Sequence, residues 1–132
     1  MGFLDVFTNS QMSPVSKTTK VILLTAPVRA VTLNMGMPCH CWYDYRMLSF
    51  DVLKESVDID QLTESKDRVT SVINSEVSDN LGGDYKKLLI GGFSQGAALA
   101  LYTALEMENE VKAVISFSGH QLYQDISEIK YV

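Results

Sequence analysis

The chain lacks any apolar run of membrane-spanning length. Its longest, around Val21–Leu24 and Ala97–Leu101, fall far short of the about 20 residues that a helix needs to cross a bilayer. No stable membrane insertion is therefore expected. The start, Met-Gly-Phe-Leu-Asp-Val, has no basic residue, so no secretory signal is read there. Position 6 is Val where a myristoylation signal needs Ser or Thr. No Asn opens an Asn-x-Ser/Thr acceptor site. A cytoplasmic location is the expectation. Basic charge is also scarce: 11 Lys and Arg stand against 16 Asp and Glu, for a net charge of −5. With no basic stripe to neutralise phosphates, nucleic-acid binding is disfavoured as a function class, and no nucleic-acid partner is expected. Cysteine and histidine number two each. Cys39 and Cys41 flank His40, too close in sequence for a comfortable disulfide. One further histidine cannot complete a zinc ligand set, so neither a metal nor another cofactor is expected.

What is present is enough for one modest domain, residues 1–132, with 46% hydrophobic content. Lys20–Thr25 reads as a short strand buried on both faces, closed by Pro27. From Asp60 to Asp79, apolar positions at 62, 69, 72, 73 and 77 recur near helical spacing. Asp58 with Gln61 can cap the start, and Gly82-Gly83 lies just past the end. Lys87–Gly91 is a second buried-type strand, followed by an Ala/Leu-rich helix over Ala97–Met107. Val111–Phe117 is a third such strand. Strands alternating with helices imply an α/β domain with a mostly parallel sheet. The stretch Pro27–Val57 is irregular and carries the single Trp, which reads as a long structured loop. Gly2–Asn9 reads as a short amphipathic helix, followed by a polar linker over Asn9–Lys20.

The chemistry is carried by Gly92-Phe93-Ser94-Gln95-Gly96, a G-x-S-x-G run between a strand and a helix. A serine on so sharp a turn is lifted above the sheet edge, and side chains at the flanking glycine positions, Gly92 and Gly96, are expected to collide with the turn. Ser94 is then the nucleophile candidate, and the backbone N–H of Gln95 is a donor for an oxyanion. The competing reading is a glycine-rich turn with an ordinary N-cap serine.

The run from Leu88 to Leu105 resembles the nucleophile region of the acyl-protein thioesterases, in the phospholipase/carboxylesterase group of α/β-hydrolases. A second segment, Thr25–Arg29 with Val31–Gly36 and Trp42–Asp44, resembles that family's loop after the preceding strand. The resemblance implies a partial α/β-hydrolase fold, a three-layer sandwich with a mostly parallel sheet. It implies a serine esterase without cofactor that cleaves acyl esters or thioesters, on acylated proteins or lysophospholipid-like substrates, and so a place in depalmitoylation and lipid metabolism. Ser94 matches the nucleophile, Gln95 the oxyanion donor, and Trp42 a loop residue at the acyl site. Ala30 stands where the family has proline, and Cys39-His40-Cys41 where it has a single serine. The family's H-G-x-G-D segment, and its catalytic Asp and His, have no counterpart here. The chain thus reads as the middle of such an enzyme. Weak turnover, a marginal fold and self-association through open sheet edges are expected of it.

Of the two histidines, His120 should lie on the sheet edge that carries Ser94. A Ser94–His120 pair oriented by Asp125 competes with a surface histidine in a strand-exit loop. His40 reads as a loop residue. Asp44 serves a turn or pairs with Arg29, and Met35, Met37 and Met47 line loop packing, although such adaptable side chains also suit an acyl chain. The other class of function is a non-catalytic binding or assembly domain that keeps the elbow as a relic.

Overall fold

The computed structural model describes residues 18–47 and 56–122. In chain order they form β1 (Val28–Val31), a 3-10 turn at Thr32–Asn34, β2 (Met37–His40), α1 (Ile59–Asn80), a 3-10 turn at Tyr85–Lys87, β3 (Leu89–Phe93), α2 (Gln95–Glu106) and β4 (Ala113–Phe117). The helix expected at Gly2–Asn9, most of the linker Asn9–Lys20, and Asp125 lie outside the described residues.

Asp58 starts α1 as the sequence implies. Its backbone is extended and its carboxylate accepts the Gln61 N–H at 3.0 Å, which satisfies one of the orphan donors of the first turn. Leu62, Ser65, Val69, Ile73 and Val77 are the buried positions, three or four apart and therefore on one stripe. The helix stops where Gly82 and Gly83 take positive φ, and the Gly83 N–H turns back to Val77 O at 3.0 Å. This α1 stripe meets Leu99 of α2, Tyr43 and Val57 to form the core.

β3 and β4 pair in parallel, Leu89 opposite Ala113 through Phe93 opposite Phe117. α2 connects them and packs on both. This is the expected strand–helix–strand unit, and its parallel pairing requires such a crossover. α2 covers one face of the pair. On the other, Leu89 (53%), Phe93 (55%), Ile115 (44%) and Phe117 (59%) are exposed. Strands that read as buried on both faces are thus covered on one among the described residues.

Two expectations are corrected. Val21–Thr25 forms no strand. Val21, Ile22 and Leu23 are exposed and only Leu24 reaches the core. The segment is tied to α1 by Lys20, which ion-pairs with Glu76 at 2.7 Å and holds that carboxyl below the usual range. An apolar run becomes a strand only when a neighbour takes up its N–H and C=O groups, and among the described residues β3 pairs with β4 alone. The start of the expected loop is instead a hairpin, with β1 antiparallel to β2, Val28 opposite His40 through Val31 opposite Met37. Met35 and Gly36 reverse the chain at φ 55° and 77°. Pro38 is tolerated in β2 because among the described residues the sheet has two strands, so each is an edge there.

Core position and apolar character therefore separate at two leucines. Leu62→Ala, at a site 2% exposed, is expected to cost about 2–5 kcal/mol. Leu23→Ala, at a site 46% exposed, should stay within about 0.5 kcal/mol. Parallel denaturant melts check this, and comparable losses would return Val21–Thr25 to the core.

Candidate active site

The turn from β3 into α2 is built by close backbone approach. A Cβ placed on Gly92 would lie 2.3 Å from Gly96 O and 2.6 Å from Ala97 N, so only glycine fits there. Gly96 is different. A Cβ at that position meets only Trp42 Nε1, at an ordinary 3.5 Å. The steric demand expected at both glycines is thus real at Gly92 and not at Gly96. The reason is that the chain folds its own backbone over position 92, while at position 96 the neighbour is a side chain, the Trp42 indole, at ordinary contact distance.

Ser94, the residue before the helix, has φ 51° and ψ −121°, a conformation that is costly for a residue with a side chain. It is held by its own N–H, which donates to Phe117 O at 2.8 Å, and by its C=O, which accepts from Ala97 and Ala98. Its hydroxyl makes no capping bond and is exposed to solvent. The competing reading of an ordinary N-cap serine fails on this point, since such a serine bonds the second or third helical N–H. The N–H groups of Gln95 and Gly96 open the helix beside the hydroxyl. No acidic residue stands in the first turn to offset the positive end of the helix dipole.

The loop Cys41–Tyr45 lies against this turn. The Trp42 N–H donates to Gln95 Oε1 at 2.8 Å, and Gln95 Nε2 donates to Tyr43 O at 2.7 Å. The Cys41 thiol donates to Tyr43 O at 2.9 Å. From α1, the Ser65 hydroxyl donates to Trp42 O, and Gln61 Oε1 accepts the Asp44 N–H at 3.0 Å. Asp44 in turn receives the Thr32 N–H at 2.8 Å and the Thr32 hydroxyl. It therefore serves the turn, while Arg29 pairs with Glu64 at 2.8 Å. Among the described residues no three His, Cys, Asp or Glu side chains converge as a metal-binding group.

The histidines do not meet Ser94. His40 Nδ1 bonds Ala26 O at 2.7 Å. His120 follows β4 on the same sheet edge as Ser94, yet its Nε2 bonds the Tyr45 hydroxyl at 2.5 Å, and that hydroxyl bonds Tyr43's at 3.0 Å. Burial lowers the His120 pKa and raises those of Tyr43 and Tyr45. Met35 (88% exposed), Met37 (48%) and Met47 (50%) do not pack in the loop. A cleft of about 240 Å³ lined by Lys66, Asp67, Tyr85 and Glu106 lies at the far end of α2 from Ser94.

Sequence reasoning missed Ser65, Tyr45 and Gly119. Ser65 carried a signal, a small polar residue on the apolar stripe of α1. At Gly119 a Cβ would lie 2.7 Å from that of Ala97, so this glycine lets the β4 exit loop press on the start of α2.

Comparison with known proteins places these features in a lineage. A family model described as Phospholipase/Carboxylesterase matches residues 5–128. Acyl-protein thioesterase 1 of Eremothecium gossypii is 36% identical over 114 residues, which is 86% of this chain and 46% of that protein. Acyl-protein thioesterase 1 homolog 1 of Dictyostelium discoideum is 37% identical over 102 residues, 76% of this chain and 43% of that protein. Among solved structures, Arabidopsis thaliana SOBER1 superposes with a TM-score of 0.71 at 27% identity, over 89% of this chain and 53% of that one. Zea mays acyl-protein thioesterase 2 gives 0.57 at 31% identity, over 74% and 43%. The chain spans about half the length of the relatives it matches.

Two outcomes follow. Gly92→Ala should destabilise by about 3 kcal/mol, whereas Gly96→Ala should change stability by less than about 1 kcal/mol; equal effects in thermal melts would contradict the local geometry. For His120 the folded pKa lies below the unfolded value of about 6.5, so the unfolded chain takes up the proton first. Its contribution to stability is complete above that value and declines as pH falls toward the folded pKa. In His120→Leu this part of the pH dependence should vanish, as denaturant midpoints at successive pH values would show.

Proposed function

Because the chain belongs to the phospholipase/carboxylesterase family, whose α/β-hydrolase fold it shares in part, we propose that it carries the nucleophile of a serine esterase. Ser94 Oγ attacks an acyl carbonyl and gives its proton to a base. The carbonyl oxygen becomes an oxyanion at the N–H of Gln95, and collapse of the adduct expels a thiol or alcohol. Water then attacks the acyl-enzyme and releases the carboxylic acid and Ser94. The observation that carries this reading is the strained backbone of Ser94, which leaves its hydroxyl uncapped and exposed at the open end of a helix. Strain of this kind persists where the surroundings over-determine it, and it concentrates at functional sites.

The proposed substrates are acyl thioesters on protein cysteines, with lysophospholipid-like esters second. The first is favoured because the relatives are named acyl-protein thioesterases. A cytoplasmic site of action is proposed with it. Among the described residues no helix is long and apolar enough to cross a membrane. Since neither His40 nor His120 bonds Ser94, residues 1–132 alone are expected to turn over weakly, for want of a base.

A second reading, an assembly domain, is favoured by the exposed Leu89, Phe93, Ile115 and Phe117 on uncharged strands. Its occupant is a second copy, joined through an edge of β3 or β4 that is open among the described residues.

A fluorophosphonate probe with size-exclusion chromatography separates the two. Covalent labelling that disappears in Ser94→Ala is expected of the esterase. A protein that melts cooperatively, elutes as a dimer and takes no label would remove the esterase reading and leave the assembly one.

A further inference from the structure

Gln95 is usually valued, in an arrangement of this kind, for its backbone N–H. Its side chain does something separate. The carboxamide is oriented so that both ends bond successive backbone groups of one loop. Oε1 accepts the Trp42 N–H at 2.8 Å and Nε2 donates to Tyr43 O at 2.7 Å. These two groups lie on β-strand-free chain, outside any ladder that could satisfy them, and Tyr43 is fully buried. The first residue of a helix thus completes the hydrogen bonding of a loop more than fifty residues earlier. The loop in return sets Trp42 Nε1 3.5 Å from where a Cβ of Gly96 would stand, so the indole lies over the first turn of α2.

We propose that the Gln95 side chain is a positioning residue that seats Trp42 over the start of α2 and so fixes the surface beside Ser94. No other unbranched side chain of similar length has an acceptor and a donor fixed in one plane at neutral pH. Met has neither, Asn is a methylene shorter, and an ionised Glu has two acceptors. In Gln95→Glu one oxygen keeps the Trp42 N–H while the other faces Tyr43 O, lone pair against lone pair. Only a protonated carboxyl restores the donor. Among the described residues the titratable group facing the amide is the Cys41 thiol, at 3.4–3.5 Å, with the Tyr43–Tyr45–His120 chain beyond it. His120 titrates in the parent chain too, so the parent serves as its control. The consequence for Ser94 chemistry rests on the esterase reading; the seating of Trp42 does not.

Trp42 is the only tryptophan, so its emission and acrylamide quenching report this seat directly in the full chain. Gln95→Met is expected to redden the emission, raise quenching about twofold and slow fluorophosphonate labelling of Ser94 about tenfold, as a misplaced neighbouring surface would. Gln95→Glu should match Gln95→Met at about pH 8 and return to the parent emission at about pH 5, because burial against a carbonyl raises a carboxyl above its usual value of about 4.3. The pH-dependent return is the decisive result, since a merely structural contact would not produce it, and it stands even where Gln95→Met does not fold. Parent-like emission in Gln95→Met, or a Glu variant whose emission tracks the parent at both pH values, overturns the proposal. If the parent chain takes no label while the emission follows the expected course, the esterase reading fails and the Trp42 seat holds.

Discussion

The five residues Cys41–Tyr45 are held at their ends by backbone bonds, the Cys41 N–H to Pro27 O and the bridge of Tyr45 with Val57, and between those ends by side chains, and both helices are registered through them. Backbone N–H and C=O groups at this depth must find partners, because an orphaned group costs about 1–3 kcal/mol. Here the partners come from both sides: Ser65 and Gln61 from α1, Gln95 from α2. Each such bond is worth about 0.5–1.5 kcal/mol net. Their arrangement matters more than their sum, because every one of them ties an element of secondary structure to the same short loop. Asp44 adds the β1–β2 hairpin to the same knot through Thr32. The apolar core beneath supplies most of the stabilisation, but the hydrophobic effect is non-directional, whereas these polar contacts have direction.

The turn at Ser94 depends on this arrangement from the other side. Its positive φ is unfavourable locally and is over-determined by three constraints. The β3–β4 ladder ends with Ser94 bonded to Phe117 O, the backbone of Gly96 folds over Gly92, and the β4 exit loop presses Gly119 on Ala97. None of these is strong alone. Together they leave the serine hydroxyl uncapped at the positive end of a helix, with no partner among the described residues, an arrangement that lowers the free energy of an anion forming beside it.

What the sequence made legible divides along one physical line. Features set by neighbours in the chain were readable: the Asp58 cap, the α1 stripe, the Gly82–Gly83 stop, and the strand–turn–helix around Ser94. Features set by partners distant in sequence were not. Val21–Thr25 has the composition of a buried strand, but pairing is decided by what lies alongside, and composition does not carry that. The β1–β2 hairpin was hidden because Pro38 argues against a strand unless the strand is an edge. At Gly96 the motif overstated the demand, since only the partner position, Gly92, is roofed by backbone. His120 was placed on the correct sheet edge by topology alone. Its partner Tyr45 comes from 75 residues away, and the sequence held no sign of it.

The last rung of the β3–β4 ladder is also the first contact of the turn that follows, since Phe93 faces Phe117 and the next N–H, that of Ser94, bonds the Phe117 carbonyl. This shared rung assigns very different tolerance to insertion and deletion along a short stretch of chain. Adding or removing one residue within Ala113–Phe117 would reverse which side chains face α2 and carry the carbonyl away from the turn. The connection at 107–112 is mostly exposed and closes between a helix end and a strand start, where a few extra residues cost little entropy. Length variation among descendants of this chain should therefore collect in that connection, while the count of residues from Ala113 to Ser118 stays invariant.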